Sequence, residues 1–410
     1  MKSKQAPEDS IEVVRPSIKF EPDRADFEAR VKRLEATRDV NEPLPKGFPR
    51  AITGPRVWYG RDIGGVDALI TELTKDEIAE VEAALQYFKG TSASRSNNGP
   101  DQMSKELFPL PKYGAQLEQI SKDLHSGRGI TILRGLNPEN YSATDNVLLF
   151  AGIASHIGEQ RGCQDRFGNM LTHLVDMGFK FGKCSKRTPT FTGGILPYHN
   201  DVCDILCMYI QDSAANGGES TLASSATVYN RIAASRPDMV NTLAAPIWVY
   251  DKDKPPEVWH ARPILFGEKE HGPFFCFSRQ KITGSEHYPL SQSLPAMSEE
   301  QAEALDMIHY VAEETGITMS LKPGDMLLYN NLGVLHGRNA FTDAEVGDHR
   351  RHILRLWVRN EERAWDTPEE LAREWHLVYG DSVRRARAQW RMRPEDTEKD
   401  RVIGHKSTCS

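Results

Sequence analysis

Cysteine is scarce in this chain of 410 residues. Six occur, at positions 163, 184, 203, 207, 276 and 409, without the dense spacing of a disulfide framework, so reduced thiols inside the cell are expected. No apolar run approaches the roughly 18 residues of a membrane span, and the opening MKSKQAPEDSIEVVRP lacks the apolar stretch of a secretion signal. Cys409 is the penultimate residue, which breaks the prenylation pattern. Positive charge is not in excess either: 51 Lys and Arg against 58 Asp and Glu leave a net charge of −7, a poor balance for a general polyanion binder. These absences predict a cytoplasmic protein with neither a membrane nor a nucleic acid as partner. What is present, 39% apolar residues over this length, suffices to bury a core without disulfides.

Residues 1–52 mix charge and proline with no sustained apolar periodicity beyond a short helical stretch near Phe27 to Leu34. They read as an N-terminal arm, flexible or wrapped on a surface. A single folded domain is expected over 53–383. Within it, Thr74 and Glu77 make a capping box ahead of a helix whose Ile78, Val81, Leu85 and Phe88 share one face. Leu117, Ile120 and Leu124 mark a second helix ended by Gly127, and GITILRG from Gly129 reads as a strand. From about Met170 to Asp251 short strands dominate, with one helix near Ala226 to Leu243. Ser298 and Gln301 cap another helix, Pro323-Gly324 turns between two strands, and HILRLWV closes the series. Residues 384–410 form a charged tail. Many short strands with helices outside them suggest one β-barrel or jelly-roll core with helical buttresses.

The segment GGILPYHNDVCDILCMYIQ places His199 two residues before Asp201, and a turn at a strand end can bring both onto one metal. Such a triplet occurs by chance in many chains and by itself reads as a core histidine. His336, in MLLYNNLGVLHGRNAF, supplies a second imidazole. Two histidines and one carboxylate leave coordination positions open, which suits non-haem Fe(II), whereas a structural zinc site is closed by four ligands. In RRHILRLWV, alternation puts Arg351, Ile353, Arg355 and Trp357 on one face. Two arginines on an inner face are costly unless each meets an anion, and the guanidinium fork suits a carboxylate. The bland alternative is a surface strand with exposed arginines.

The ordered set HND at 199–201, GGES at 217–220, HGR at 336–338 and RRHILRLW at 350–357 resembles the taurine dioxygenase and TfdA-like family of Fe(II)/2-oxoglutarate oxygenases, over roughly Gly54 to Tyr379. The resemblance implies an α+β fold with a mainly β core, a double-stranded β-helix (jelly roll, cupin-like) with flanking helices. It implies that His199, Asp201 and His336 are the catalytic iron ligands and that Arg351 binds the cosubstrate 2-oxoglutarate, helped by the hydroxyl of Ser220 or Thr221, with Ser220 favoured. It implies further that Arg355 meets an acidic group of the substrate. The activity implied is a dioxygenase that consumes O2 and 2-oxoglutarate, releases succinate and CO2, and oxidises an unactivated C–H bond of a small acidic molecule. Hydroxylation is the default outcome, with desaturation or cyclisation open, and a homo-oligomer is compatible.

Four further features carry less. His173, in NMLTHLVDM, is either a core histidine or a substrate contact from a neighbouring strand. Lys180, Lys183, Lys186 and Arg187 read as solvated charges or as a basic lid. Cys203 and Cys207 share parity with Asp201 if the strand is continuous, and read as buried thiols. Asn330 and Asn331 are expected to hydrogen-bond around the site. The competing functions are a cupin-like binding protein without turnover and a zinc hydrolase using the same triad. The first need not retain open metal positions, and the second leaves Arg351 without a role.

Overall fold

The computed structural model describes residues 18–39, 41–95, 99–165, 167–176, 189–251, 259–285, 289–290, 294–344 and 350–396. Two sheets face each other. The larger has seven strands: Ile70–Glu72, Ile130–Arg134, Met326–Asn330, Ile205–Asp212, His352–Arg359 and Gln160–Arg161 follow one another, and Leu171–Val175 also pairs with His352–Arg359. Its pairings are antiparallel apart from the parallel edge pair Ile70–Glu72 with Ile130–Arg134. The smaller sheet runs Ile317–Met319, Ser220–Ser224, Val334–Arg338, Leu196–His199.

Alternation sorts the side chains into layers. Leu206, Met208 and Ile210 point between the sheets with Leu222, Leu327, Tyr329 and Trp357. Ile205, Cys207 and Tyr209 point the other way, onto the helices Lys75–Gly90, Tyr113–Ser126 and Ala143–Ser155. Behind the smaller sheet, Ala223 and Leu335 pack on the helices Ser225–Ser235, Pro237–Ala244 and Glu299–Thr315. The result is four layers with both sheets covered. Among the described residues no helix is long and apolar enough to cross a membrane.

Both capping boxes form: Thr74 with Glu77, and Ser298 with Gln301, each pair satisfying two helix-end donors reciprocally. The Lys322–Asp325 turn closes with an Asp325 N–H to Lys322 carbonyl bond of 3.0 Å. Gly324 sits there at φ 97°, and a Cβ on it would lie 2.0 Å from the Leu136 carbonyl oxygen. The single helix expected over 226–243 is instead two, Ser225–Ser235 and Pro237–Ala244, because Pro237 has no N–H to continue the first and starts the second.

The N-terminal arm differs from a flexible segment in its described part. The helix Arg24–Leu34 lies on Glu299–Thr315, with Arg30 buried against Glu299 (2.9 Å) and Asp306 (2.9 Å). Arg279 reaches the other oxygen of Asp306 at 2.6 Å, and Arg38 meets the buried Glu303 at 2.8 Å. These anchors are ionic and lie some 270 residues away, so apolar periodicity cannot reveal them. The charged tail is likewise fixed where it begins: Gln389 bridges Asn169, and Ala388 is buried.

Candidate active site

The HND turn leaves the smaller sheet at His199, and the next strand of the larger sheet starts at Ile205. The segment between is not strand, so Cys203 and Cys207 do not share its parity: Cys203 lies between the sheets and Cys207 faces the helices. His336 stands directly opposite His199 in the antiparallel register, with ring centres 4.2 Å apart. Among the described residues His199, Asp201 and His336 are the group that could hold a metal, each offering one ligand atom within 4.8 Å of the others. Asn331, fully buried, fixes the turn: its side-chain oxygen accepts the Asp201 N–H (2.9 Å), and its amide donates to the carbonyls of Asp201 (2.7 Å) and Cys203 (2.8 Å).

The donor atoms are prepared in ways that fit a cation. His199 Nδ1 is held on the Pro197 carbonyl at 2.9 Å, which leaves Nε2 for a ligand. Burial lowers the pKa of His199, although Asp201 opposes it, and burial with neighbouring His199 and Arg355 takes His336 well below the ordinary range. Both rings are therefore neutral near pH 7, the form that binds metal. Asp201 receives Arg355 Nη1 (2.8 Å) and Trp357 Nε1 (3.2 Å) on Oδ2. Its Oδ1, 3.9 Å from His199 Nε2, is buried with no hydrogen-bond partner. An orphaned carboxylate oxygen beside two neutral imidazoles is the environment a divalent metal would complete.

Arg351 lines the same pocket from the strand edge, buried, and none of its guanidinium nitrogens bonds a described acceptor. Burial lowers its pKa to about 10 against the opposing pull of Asp343. Gly218, at φ 77°, makes room: a Cβ there would lie 3.0 Å from Arg351 Nε. Ser220 and Thr221 now separate. Ser220 shares the pocket with Arg351 and Leu222, whereas Thr221, between them on the strand, points to the opposite face, toward Tyr198. Strand alternation thus turns Thr221, unlike the expectation that either hydroxyl could serve, away from the pocket that Ser220 and Arg351 line.

Two other expectations change. His173 is cross-strand to Leu354 on the helix-side face, its ring nitrogens 2.8 Å from His352 Nε2 and from the Arg391 carbonyl, while neighbouring Leu174 lines the pocket. It is a packed core histidine. Arg355 does line the pocket, but its Nε bonds Gln164 Oε1 (2.9 Å) and its Nη1 bonds Asp201, so its found partners are protein groups rather than open space. Gln164 had no local sequence signal. Trp357 lies on the inner face that alternation predicts, and its contact with Asp201, across 156 residues of sequence, has no local signal. Arg338, the last residue of HGR, is buried in the pocket wall, donates to the carbonyls of Thr190, Thr192 and Gly194, and has no partner at Nε among the described residues. Burial and neighbouring Arg351 lower its pKa to about 9. The basic segment with Lys180, Lys183, Lys186 and Arg187 lies outside the described residues.

Over residues 95–357 the chain matches the family described as "Taurine catabolism dioxygenase TauD, TfdA family". It is 32% identical over 343 residues to the taurine hydroxylase-like protein SAT17 of Stachybotrys chartarum, covering 82% of this chain and 87% of that one. It is 28% identical over 321 residues to FR-33289 synthase of Streptomyces rubellomurinus, covering 76% and 91%. Among solved structures, asparagine oxygenase in complex with Fe(II), 2S,3S-3-hydroxyasparagine and succinate shares the fold at a TM-score of 0.51 and 15% identity, covering 71% of this chain and 93% of that one.

Proposed function

Because the chain belongs to the taurine catabolism dioxygenase TauD, TfdA family, we propose that His199, Asp201 and His336 hold Fe(II) and that Arg351, with Ser220, receives the remote carboxylate of 2-oxoglutarate. The protein is an Fe(II)/2-oxoglutarate-dependent dioxygenase. Its reaction is oxidation of an unactivated C–H bond in a small anionic molecule, as hydroxylation or as desaturation or cyclisation. We read the facing sheets as a double-stranded β-helix within a catalytic domain spanning 53–383, and the enzyme as cytoplasmic.

When bound, iron and 2-oxoglutarate supply the oxidising power, with O2 consumed and succinate and CO2 released. The chain's own groups bind, orient and exclude water. The Pro197 carbonyl orients His199, and Asn331 sets the backbone of Asp201. Leu174, Leu206 and Met208 wall the pocket with apolar surface, which strengthens every charge contact inside it. One observation carries the reading: among the described residues Asp201 Oδ1 has no hydrogen-bond partner and the Arg351 guanidinium bonds no carboxylate, and both line the same pocket. A zinc hydrolase has use for the first and none for the second, and a passive binder need not keep open metal positions at all.

The same walls favour an anionic substrate. Arg338, Arg351 and Arg355 line the pocket, and Asp201 is the one acidic side chain among its described lining residues. A carboxylate or sulfonate suits that balance, and the names of the relatives, which speak of taurine and asparagine, fit small molecules of this kind. Succinate release tests the reading. Purified protein with Fe(II), 2-oxoglutarate and O2 should form succinate, and candidate amino, sulfonic and carboxylic acids should raise its rate. Iron-replete folded protein that forms none with any member of such a panel would contradict it.

A further inference from the structure

Asp201 and Asp204 bracket the four-residue turn between the two sheets, and the strand His352–Arg359 grips both. Arg355 and Trp357 bond one oxygen of Asp201 at 2.8 and 3.2 Å. Four residues on from Arg355, Arg359 bonds Asp204 at 2.8 Å, and the Trp375 indole adds a contact at 3.2 Å. Each carboxylate thus receives one guanidinium and one indole N–H. Arg355 is itself immobilised: Gln164, buried, accepts from its Nε at 2.9 Å and donates to its carbonyl at 2.7 Å. The consequence differs at the two ends, because Asp204 has both oxygens bonded whereas Asp201 has Oδ1 left bare.

We propose that Arg355 is a positioning residue of the metal centre: with Trp357 it occupies Oδ2 of Asp201, so that the carboxylate presents Oδ1 alone to the ion. A carboxylate free to rotate could chelate through both oxygens and fill a coordination position the cosubstrate needs. Two donors on Oδ2 prevent that, and the charge-assisted guanidinium bond is the stronger of the two. The role assigned to Arg355 is therefore to the metal before it is to the substrate, unlike the substrate contact that the family resemblance implied. This inference rests on the reading of His199, Asp201 and His336 as iron ligands.

The test measures Fe(II) itself. Anaerobic equilibrium dialysis with Fe(II) is applied to the unaltered protein, Arg355→Met and Trp357→Phe, with melting curves recorded for each. Arg355→Met should weaken Fe(II) binding by about 10- to 100-fold, the usual effect of losing a group that orients a metal ligand. Trp357→Phe should weaken it by roughly 3- to 10-fold, as expected for one lost hydrogen bond. At saturating Fe(II) the 2-oxoglutarate requirement should rise in both, more in Arg355→Met than in Trp357→Phe, because a carboxylate released at Oδ2 competes for the coordination position the cosubstrate needs. If Arg355→Met does not fold, the shift in Trp357→Phe decides alone. Unaltered Fe(II) affinity in folded variants, with loss confined to substrate-stimulated succinate formation, would overturn the inference and return Arg355 to the substrate. Failure of the unaltered protein to bind Fe(II) would overturn the ligand assignment beneath it.

Discussion

Replacing Arg351 by methionine keeps much of the side chain's bulk and removes a buried cation that no described carboxylate bonds through its guanidinium. Burial pushes this arginine from its ordinary range down to about 10. At about 1.4 kcal/mol per pH unit, that corresponds to roughly 3 kcal/mol of cost for keeping the charge at pH 7 in the empty pocket. The sign follows from the depressed value: the folded state prefers the neutral form, so the cost is fully present at every pH below about 10. An incoming carboxylate removes the cost and adds a charge-assisted pair. Truncating one member of such a buried pair typically costs about 2–5 kcal/mol of binding, or roughly 30-fold to several thousand-fold in affinity. Arg351→Met should therefore bind 2-oxoglutarate at least about 30-fold more weakly, with Fe(II) affinity retained and thermal stability of the ligand-free protein equal to or above that of the unaltered chain. Anaerobic titration of 2-oxoglutarate onto the Fe(II) protein, with parallel melting curves, measures both. An affinity within threefold of the unaltered protein would refute the placement of the cosubstrate at Arg351.

The remaining predictions concern three other places. Ser220→Ala should weaken 2-oxoglutarate binding by roughly 3- to 10-fold through one lost hydrogen bond, while Thr221→Val, altered on the opposite face of the strand, should leave it unchanged; the same titration distinguishes them. Asp306→Ala strands Arg30 and Arg279 as buried cations with one shared partner gone, and should destabilise the fold by about 3–5 kcal/mol in denaturant unfolding; a change below about 1 kcal/mol would show that the arm is held by other contacts. Burial lowers His309 and His352 to about 3, and His173 compounds the effect on His352. Their contribution to stability is present above the unfolded histidine value near 6.5 and is lost as pH falls toward 3. His352→Phe should flatten the acid side of the stability profile, and a profile of unchanged slope would count against a neutral buried His352.

Local signals in the sequence carried far. The two capping boxes, the GITILRG strand and the Pro323-Gly324 turn each depend on a few adjacent residues, and each formed as read. Alternation along RRHILRLWV put Arg355 and Trp357 on the inner face because the strand's register is unbroken from Ile353 to Val358, and Arg351, just before the strand, lines the same pocket. What alternation cannot give is a partner. Arg355 was known to face inward, but Gln164 lies 191 residues away, and nothing about CQD in the sequence marks it. Parity also fails across an irregular turn: Cys207 was counted from Asp201 through a segment that is not strand, and it faces the helices. His173 could not be oriented without knowing which face of its strand met which layer. For the arm the sequence leaves a flexible and a surface-wrapped segment both open, because the ion pairs of Arg30 and Arg38 that hold its described part leave no apolar stripe.

The central claim, that His199, Asp201 and His336 bind Fe(II) beside an Arg351-held 2-oxoglutarate, is tested most directly by one spectrum. Fe(II) and 2-oxoglutarate are added without oxygen to the unaltered protein and to Asp201→Ala. The account predicts a visible metal-to-ligand charge-transfer band in the first and none in the second. Absence of the band in the folded unaltered protein, or an equal band in Asp201→Ala, would contradict it.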